Sequence, residues 1–173
     1  YPGTGANCGA TLNAGSSCTI AVSFSPLVTG VQTDSVEMSY SNGVTGQLAS
    51  RALTGTAQSP ANITISDGPT YNYGTQAIGS VTDKTLVLTN GGGVSATSMT
   101  GSGLAAPFTF KGGSFPGTGG NCLGTLVAGA TCNIVVTYTP TAAGVHNDTI
   151  DMAYNDGVTT QTSFRDVQGT AVT

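Results

Sequence analysis

An internal repeat, offset by 114 residues, constrains this chain of 173 residues more than any other feature. The segment "YPGTGANC" recurs as "FPGTGGNC", and "MSYSNGVTGQLASR" recurs as "MAYNDGVTTQTSFR". Roughly half of the positions in 1–57 are identical to their counterparts in 115–171, and the alignment needs no gap. Any fold proposed for the chain must therefore accommodate the same segment twice.

The repeat divides the chain unevenly. Residues 61–173 form one complete repeat of immunoglobulin-domain size, whereas residues 1–57 match only the second half of a repeat. Residues 58–62 are predicted to be a short polar linker. We call 1–57 and 115–171 the back halves and 58–114 the front half. We expect the chain to be a piece of a longer array, or a neighbouring molecule to supply the strands that 1–57 lack.

Alternating apolar residues predict the strands. In 18–24 and 132–138 every second residue is apolar, and 34–40 and 148–154 alternate similarly. A period of two places one face of a strand on a core. The front half adds shorter runs of this kind in "ITIS", "YNYG", "KTLVLTN" and "PFTF". With no amphipathic helix of useful length, the sequence predicts an all-β, immunoglobulin-like β-sandwich tandem repeat with about seven or eight strands per repeat.

Each back half also carries a turn signal between two predicted strands. Asn42-Gly43 stands in "SNG", and Asp156-Gly157 stands in "NDG". Asn-Gly and Asp-Gly are strong hairpin signals because type I′ turns need positive φ. We therefore predict a hairpin at both places.

The composition argues against two classes of partner. Lys and Arg together number 4, and the formal net charge is −4. Because so few cations cannot neutralise a phosphate backbone, nucleic-acid binding is not expected. No apolar run approaches the length of a membrane span, so we expect no membrane-spanning segment within these residues.

All four cysteines lie in the back halves, at Cys8, Cys18, Cys122 and Cys132. Zinc sites use more closely spaced pairs with further ligands, and the single His146 could complete one only if ligands were shared between repeats. A redox Cys-x-x-Cys is absent. Because each copy carries its own pair, we predict the disulfides Cys8–Cys18 and Cys122–Cys132. Stable disulfides indicate a compartment outside the cytosol.

Candidate catalytic residues are few. His146 corresponds to Gln32 in the other copy and is predicted to be an exposed loop residue. Since no nucleophile and base can be assembled around it, we do not expect an enzyme. The matching pair Arg51 and Arg165 is predicted to form ion pairs with acidic residues, Asp34 and Asp148 respectively.

Two ligand sites are hypotheses, and each of them rests on one sequence feature. Asp67, Asn155 and Asp156 are oxygen donors on turns that could bind calcium, although turn geometry alone explains such residues. No other cofactor is expected. Tyr71 and Tyr73 are two residues apart and share a strand face, as the aromatic residues of a flat glycan site do.

The quoted motifs also resemble a known family. "YNYGTQAIGSVTDKTLVLTNGGG" followed by "PFTF" resembles the ASH-type (abnormal-spindle and Hydin-like) immunoglobulin-like domain. "CLGTLVAGATCNIVVTYTPTAAGVHNDTIDMAYNDG" is similar to the later half of its bacterial version, the choice-of-anchor D domain. The resemblance covers 61–173 fully and 1–57 as a second half. It implies a tandem repeat of secreted or cell-surface bacterial proteins without enzymatic chemistry of its own.

Two functional hypotheses follow. The first is an extracellular structural or adhesive array, such as a stiff rod, stalk or filament, whose partners are neighbouring repeats of the same protein. Strand complementation between molecules could assemble it. The second is a glycan- or protein-binding accessory module of a secreted enzyme.

Overall fold

The computed structural model describes residues 1–173 and is all-β. The chain divides into two compact units, Tyr1–Ala57 and Gln58–Thr173, which we call unit 1 and unit 2. Every regular element is a strand, and no helix is present that could cross a membrane.

Unit 1 contains one long hairpin. Strands β1 (Gly30–Ser41) and β2 (Gly46–Ala57) pair antiparallel along their whole length, from Gly30 opposite Ala57 to Ser41 opposite Gly46. Residues 1–29 form no regular strand. Unit 1 is therefore a two-stranded ribbon with an irregular segment, which is marginal on its own in water.

Unit 2 is a sandwich of two sheets. Its strands are β3 (Ile63–Ile65), β4 (Thr70–Ala77), β5 (Thr82–Asn90), β6 (Ala96–Ser102), β7 (Phe108–Phe110), β8 (Thr125–Leu126), β9 (Thr131–Tyr138), β10 (Gly144–Asn155) and β11 (Thr160–Val172). One sheet has the order β4-β11-β10-β6-β8 and the other β3-β5-β9-β7. All pairs are antiparallel except β4 with β11. Both β4 and β7 come from the front half, so each sheet mixes strands of both halves.

The core of unit 2 lies between the sheets and is shared equally by the two halves. The front half contributes Ala61, Ile63, Ile65, Tyr73, Leu86, Leu88, Ala96, Met99, Phe108 and Phe110, and the back half contributes Cys122, Leu126, Cys132, Ile134, Val136, Tyr138, Ile150, Met152, Tyr154 and Val167. Since neither half can bury these side chains alone, the sandwich is complete only when a front half covers a back half.

An aromatic cluster joins the halves at the centre of this core. The ring centroids of Phe108 and Tyr138 lie 4.7 Å apart in a stacked arrangement, and Tyr73 lies 5.4 Å from Tyr138. Gly169 lies under the Tyr138 ring, where a Cβ atom would approach the ring carbon Cζ to 2.6 Å. The close approach of β11 to this ring explains why a side chain is absent at that position.

The predicted strand 18–24 is wrong for this structure, although its counterpart 132–138 is right. In unit 2, β9 pairs with β5 and β7, both from the front half. Residues 1–173 contain one front half, which pairs with β9, so 18–24 has no strand partner among them. Its side-chain pattern is that of a strand, but a strand exists only when its backbone groups pair with a neighbour.

Candidate interaction surface

The structure contains both predicted disulfides. Cys8 bonds to Cys18 and Cys122 bonds to Cys132, with Cα–Cα distances of 4.9 Å and 5.0 Å. An asparagine closes each loop: Asn7 accepts a hydrogen bond from the Thr19 NH at 2.7 Å, as Asn121 does from the Asn133 NH. The staple therefore has the same local form in both units. The cysteines are structural, and none is free.

Both hairpins form as predicted, but their turns are not type I′. Each loop has four residues, because Ser41 pairs with Gly46 and Asn155 with Thr160. Only the glycines of the two loops, Gly43 and Gly157, have positive φ. A type I′ turn would need positive φ at two central residues.

The side chains of Asn42 and Asp156 explain this difference. In each loop one Oδ1 atom accepts two backbone hydrogen bonds, from residues 44 and 45 in unit 1 and from 158 and 159 in unit 2. These bonds cap a wider loop than a two-residue turn. The backbone hydrogen bonds to Asp156 also lower the pKa of its carboxyl below the ordinary value.

The three proposed calcium donors do not form one site. Asp67, with φ 60°, accepts a hydrogen bond from Ser66 and pairs with Lys84 at 2.9 Å. Asn155 accepts the Gly157 NH at 2.8 Å, and Asp156 is engaged in its own loop. These contacts are turn chemistry, and no cluster of three His, Cys, Asp or Glu side chains is present. Calcium binding stays a prediction, to be tested by calorimetric titration.

The tyrosine pair does not form a flat ligand face. Tyr73 is buried, and its hydroxyl donates to the Val136 carbonyl at 2.9 Å. Tyr71 is half-buried, with its ring 5.0 Å from Tyr73 in a T-shaped contact and beneath the Lys84 ammonium. Both rings point inward because they share the face of β4 that covers the core. The interpretation of Tyr71 and Tyr73 as a ligand-binding pair is therefore wrong.

The prediction that His146 is an exposed loop residue is wrong, because His146 lies in β10. It is half-buried, and its Nδ1 lies 2.8 Å from the hydroxyl of the buried Tyr138. This hydrogen bond satisfies the one polar atom of the Tyr138 side chain. His146 has no hydrogen bond to a Ser, Cys or carboxylate side chain of the kind that a catalytic arrangement needs.

Arg165 does not form the predicted ion pair with Asp148. Its guanidinium donates to the backbone carbonyls of Ile65 and Pro69, both in the front half. Gly68 leaves room for it, since a Cβ atom there would lie 2.6 Å from the guanidinium carbon. Asp148 instead accepts the Ala105 NH at 2.7 Å. Backbone acceptors cannot be recognised from residue types. The sequence therefore pointed to an acidic partner for Arg165, and that prediction is wrong.

Arg165→Ala is expected to lower the free energy of unfolding of unit 2 by about 1–2 kcal/mol, because the partly buried bond to the Ile65 carbonyl and the exposed bond to the Pro69 carbonyl both lose a charged donor. Arg51→Ala is the matched control, since Arg51 is exposed and its counterpart carbonyls are not in unit 1. We expect the control to change stability by no more than about 0.5 kcal/mol. Urea denaturation followed by far-UV circular dichroism measures both. Equal losses would contradict the assigned role.

Two salt bridges make unit 2 sensitive to acid. Hydrogen bonds from Ser66 and Lys84 lower the pKa of Asp67, and those from Lys111 and Thr137 lower the pKa of Asp83. Because these pKa values fall on folding, the stabilisation is present at pH values above the ordinary aspartate pKa of about 3.9 and is lost as the pH falls through the lower pKa values of the folded state.

We expect the unfolding free energy of unit 2 to be level near neutral pH and to fall below about pH 4. Asp83→Asn should remove up to about 1 kcal/mol at neutral pH, because the pair is partly exposed, and should flatten the acid decline. Asp34→Asn serves as the control, since Asp34 has no basic partner. Denaturant midpoints measured from pH 3 to 7 test this, and an unchanged acid decline in Asp83→Asn would count against it.

Unit 1 carries an exposed apolar groove within its own residues. The groove has a volume of about 680 Å³, and its lining includes Val22, Phe24, Leu27, Val28 and Leu53. Phe24 is 53% exposed, whereas its counterpart Tyr138 is 0% exposed in unit 2. Contiguous exposed apolar patches are typical of interaction surfaces, so this groove is the candidate one.

The groove residues could be found from the sequence only by comparing the two copies. Phe24 faces Gly55, where a Cβ atom would lie 2.7 Å from the ring, just as Tyr138 faces Gly169. The matching "GTA" segments at 55–57 and 169–171 were the signal. Sequence reasoning predicted that 1–57 lacks part of its strands but did not identify this contact between a ring and a glycine.

Comparison with known proteins gives the fold but no family. No protein-family model matches the chain, and no curated protein matches it. Among solved structures, the Vibrio cholerae VesB protease is similar with a TM-score of 0.51 and 14% identity, over 64% of this chain and 32% of the protease. The match thus spans about a third of that enzyme.

Two further structures are similar. A protein of unknown function from Porphyromonas gingivalis W83 has a TM-score of 0.50 and 11% identity, over 88% of this chain and 70% of that one. The ASH / PapD-like domain 7 of human CEP192 has a TM-score of 0.46 and 18% identity, over 65% of this chain and 87% of that one. At these identities the similarity to solved structures shows an all-β fold alone, while membership of the choice-of-anchor D family stays a prediction.

Proposed function

We propose that this chain is a non-catalytic structural segment of an extracellular bacterial array, in which such repeats form a rod, stalk or filament. The observation that carries the proposal is the same disulfide-stapled back half in both units, with Cα–Cα distances within 0.1 Å of each other. Repetition of one structural unit is the basis of extended arrays, whose stability is close to a sum over repeats and their interfaces.

The disulfides also support the location. Four cysteines in a chain with only 7% charged residues are all paired, which is typical of proteins that mature in an oxidising compartment. Low charge and covalent staples suit a surface fibre exposed to proteases. Attachment to a bacterial surface is part of the proposal.

The array is tested by lengthening the chain. Chains with one, two or three additional copies of residues 58–171 should show, in small-angle X-ray scattering, a maximum dimension that grows by a constant increment per copy. The full chain should bind no member of a glycan array. A compact particle whose dimension stops growing with copy number would contradict the array.

An accessory module of a secreted enzyme is the second candidate. It is favoured by the similarity to part of the Vibrio cholerae VesB protease, a match over 32% of that chain. The burial of Tyr73 removes the aromatic pair that would have supported glycan binding. Specific, saturable binding of one glycan class on the same array would favour this candidate over the first.

A further inference from the structure

We propose that the groove of unit 1 is the docking site for a front half supplied by another repeat: a polypeptide segment with the apolar pattern of residues 63–110. This inference rests on the proposed array. It goes further by naming the surface, its occupant and the contacts that join them.

Unit 2 shows residue by residue how a front half covers such a surface. Tyr138 is packed against Phe108 and Tyr73, and β9 pairs with β5 from Thr131 to Tyr138. β7 adds to the other edge, with Phe108 opposite Tyr138. The side chains at these positions in unit 1 are of the same kind, with Phe24 in place of Tyr138.

The surface of unit 1 is the uncovered form of this arrangement. Val22 is 57% exposed, whereas its counterpart Val136 is 0% exposed. Tyr40, the counterpart of the buried Tyr154, is also exposed. Together with Phe24, these are three side chains of unit 1 whose counterparts in unit 2 are buried in the core. Their burial would be favourable.

The groove is already shaped for its occupant. The Phe24 ring faces Gly55 as the Tyr138 ring faces Gly169. The pairs from Gly30–Ala57 to Ser41–Gly46 have the register of those from Gly144–Ala171 to Asn155–Thr160. Because the β1–β2 hairpin of the back half is already formed, docking would cost less conformational entropy than folding two free segments.

A polar match accompanies the apolar one. Arg165 donates to carbonyls at both ends of the turn after β3 in the front half. Arg51, its counterpart, is exposed and has no such acceptors in unit 1. A docked front half would bring two carbonyl groups to Arg51, whereas an occupant without that turn would not.

A second copy of this chain cannot satisfy the groove by exchange. Residues 1–173 hold two back halves and one front half, and that front half already covers residues 115–171. Exchange between copies would move a front half without adding one, so one back half per chain would remain bare. The occupant is therefore an additional front half.

The test adds a front half to the chain. Fusing a copy of residues 58–114 directly before Tyr1 gives a Ser–Tyr junction that corresponds to the Ser114–Phe115 junction of unit 2. We expect hydrogen exchange at the backbone amides of 18–24 to slow by at least about 100-fold relative to the unextended chain. Fluorescence of a hydrophobic dye bound at the groove should fall.

Two matched variants of the extended chain keep the test specific. Leu86→Asp with Phe108→Asp in the added copy only, and separately Phe24→Asp in the groove, should each restore fast exchange while leaving unit 2 intact. Equal exchange in all three extended chains would overturn the proposal. So would protection of 18–24 in the unextended chain that rises with concentration together with a doubled mass, since a second copy would then be the occupant.

A failure of docking and a failure of the array give different results. Amide exchange reports docking in a single chain, whereas scattering of lengthened chains reports the overall dimension. Docking in chains that do not lengthen with copy number would refute the array and keep this site. Chains that lengthen while the amides of 18–24 remain unprotected would do the reverse.

Discussion

Tyr138→Ala is expected to lower the free energy of unfolding of unit 2 by about 3–5 kcal/mol, the range for truncating a fully buried aromatic side chain. Its ring stacks on Phe108 at 4.7 Å and its hydroxyl lies 2.8 Å from Nδ1 of His146. The variant would leave a cavity where the front and back halves meet. It would also leave Nδ1 of the half-buried His146 without its hydrogen-bond partner. Guanidinium denaturation, followed by circular dichroism and by amide exchange in β9, measures the loss.

Phe24→Ala is the matched control within the same chain. Phe24 holds the corresponding position in unit 1 but is exposed, so its truncation should change stability by less than about 1 kcal/mol. Once an added front half covers the groove, the same variant should become as costly as Tyr138→Ala. Similar losses for the two variants in the unextended chain would show that unit 1 has a core of its own, against its description as an uncovered half.

The fold was predictable where local pattern and long-range partner agree. Alternation in 132–138 and 148–154 predicted β9 and β10, because the front half supplies the strands and the core that this pattern needs. The identical pattern in 18–24 failed for want of a partner. Periodicity therefore describes which face a segment would bury, while pairing depends on whether a complementary segment is present.

The candidate site was predictable only in its covalent part. The cysteine pairs followed from the repeat, since each copy carries two. The roles of Arg165 and Tyr73 could not be read, because both bond to backbone carbonyls of residues far away in sequence. Any residue offers a carbonyl, so such contacts have no signature in residue type.

The hairpin loops show a third limit. Asn-Gly and Asp-Gly predicted the position of each turn, but the side chains of Asn42 and Asp156 bond two backbone NH groups each and hold a four-residue loop. The position of the turn follows from the glycine, which adopts positive φ readily. The length of the loop depends on the backbone hydrogen bonds that the preceding Asn or Asp side chain accepts.

Replacing Cys122 and Cys132 together by alanine is expected to lower the unfolding free energy of unit 2 by about 2–4 kcal/mol. The bond closes a loop with a sequence separation of 10, and both cysteines belong to the buried core, Cys132 as a residue of β9. Without the bond the unfolded chain gains conformational entropy, and the folded chain loses the packing of the two sulfur atoms. Thermal unfolding measures both effects, and reduction of the natural sequence by dithiothreitol should give a smaller shift than the double variant, because reduction leaves the two sulfur atoms in the core.

The matched pair Cys8 and Cys18 separates the entropic contribution from packing. In unit 1 the same loop is closed, but the segment 18–24 that follows it forms no strand, so Cys8→Ala with Cys18→Ala should leave the unfolding transition of unit 2 unchanged. Its effect should appear as faster amide exchange at Thr19 and Ala21, whose NH groups bond across the stapled segment to Asn7 and Pro2. If this variant lowered the stability of unit 2 as much as the Cys122 and Cys132 variant does, the two units would not unfold independently. Their treatment as separate repeats of one array would then have to be abandoned.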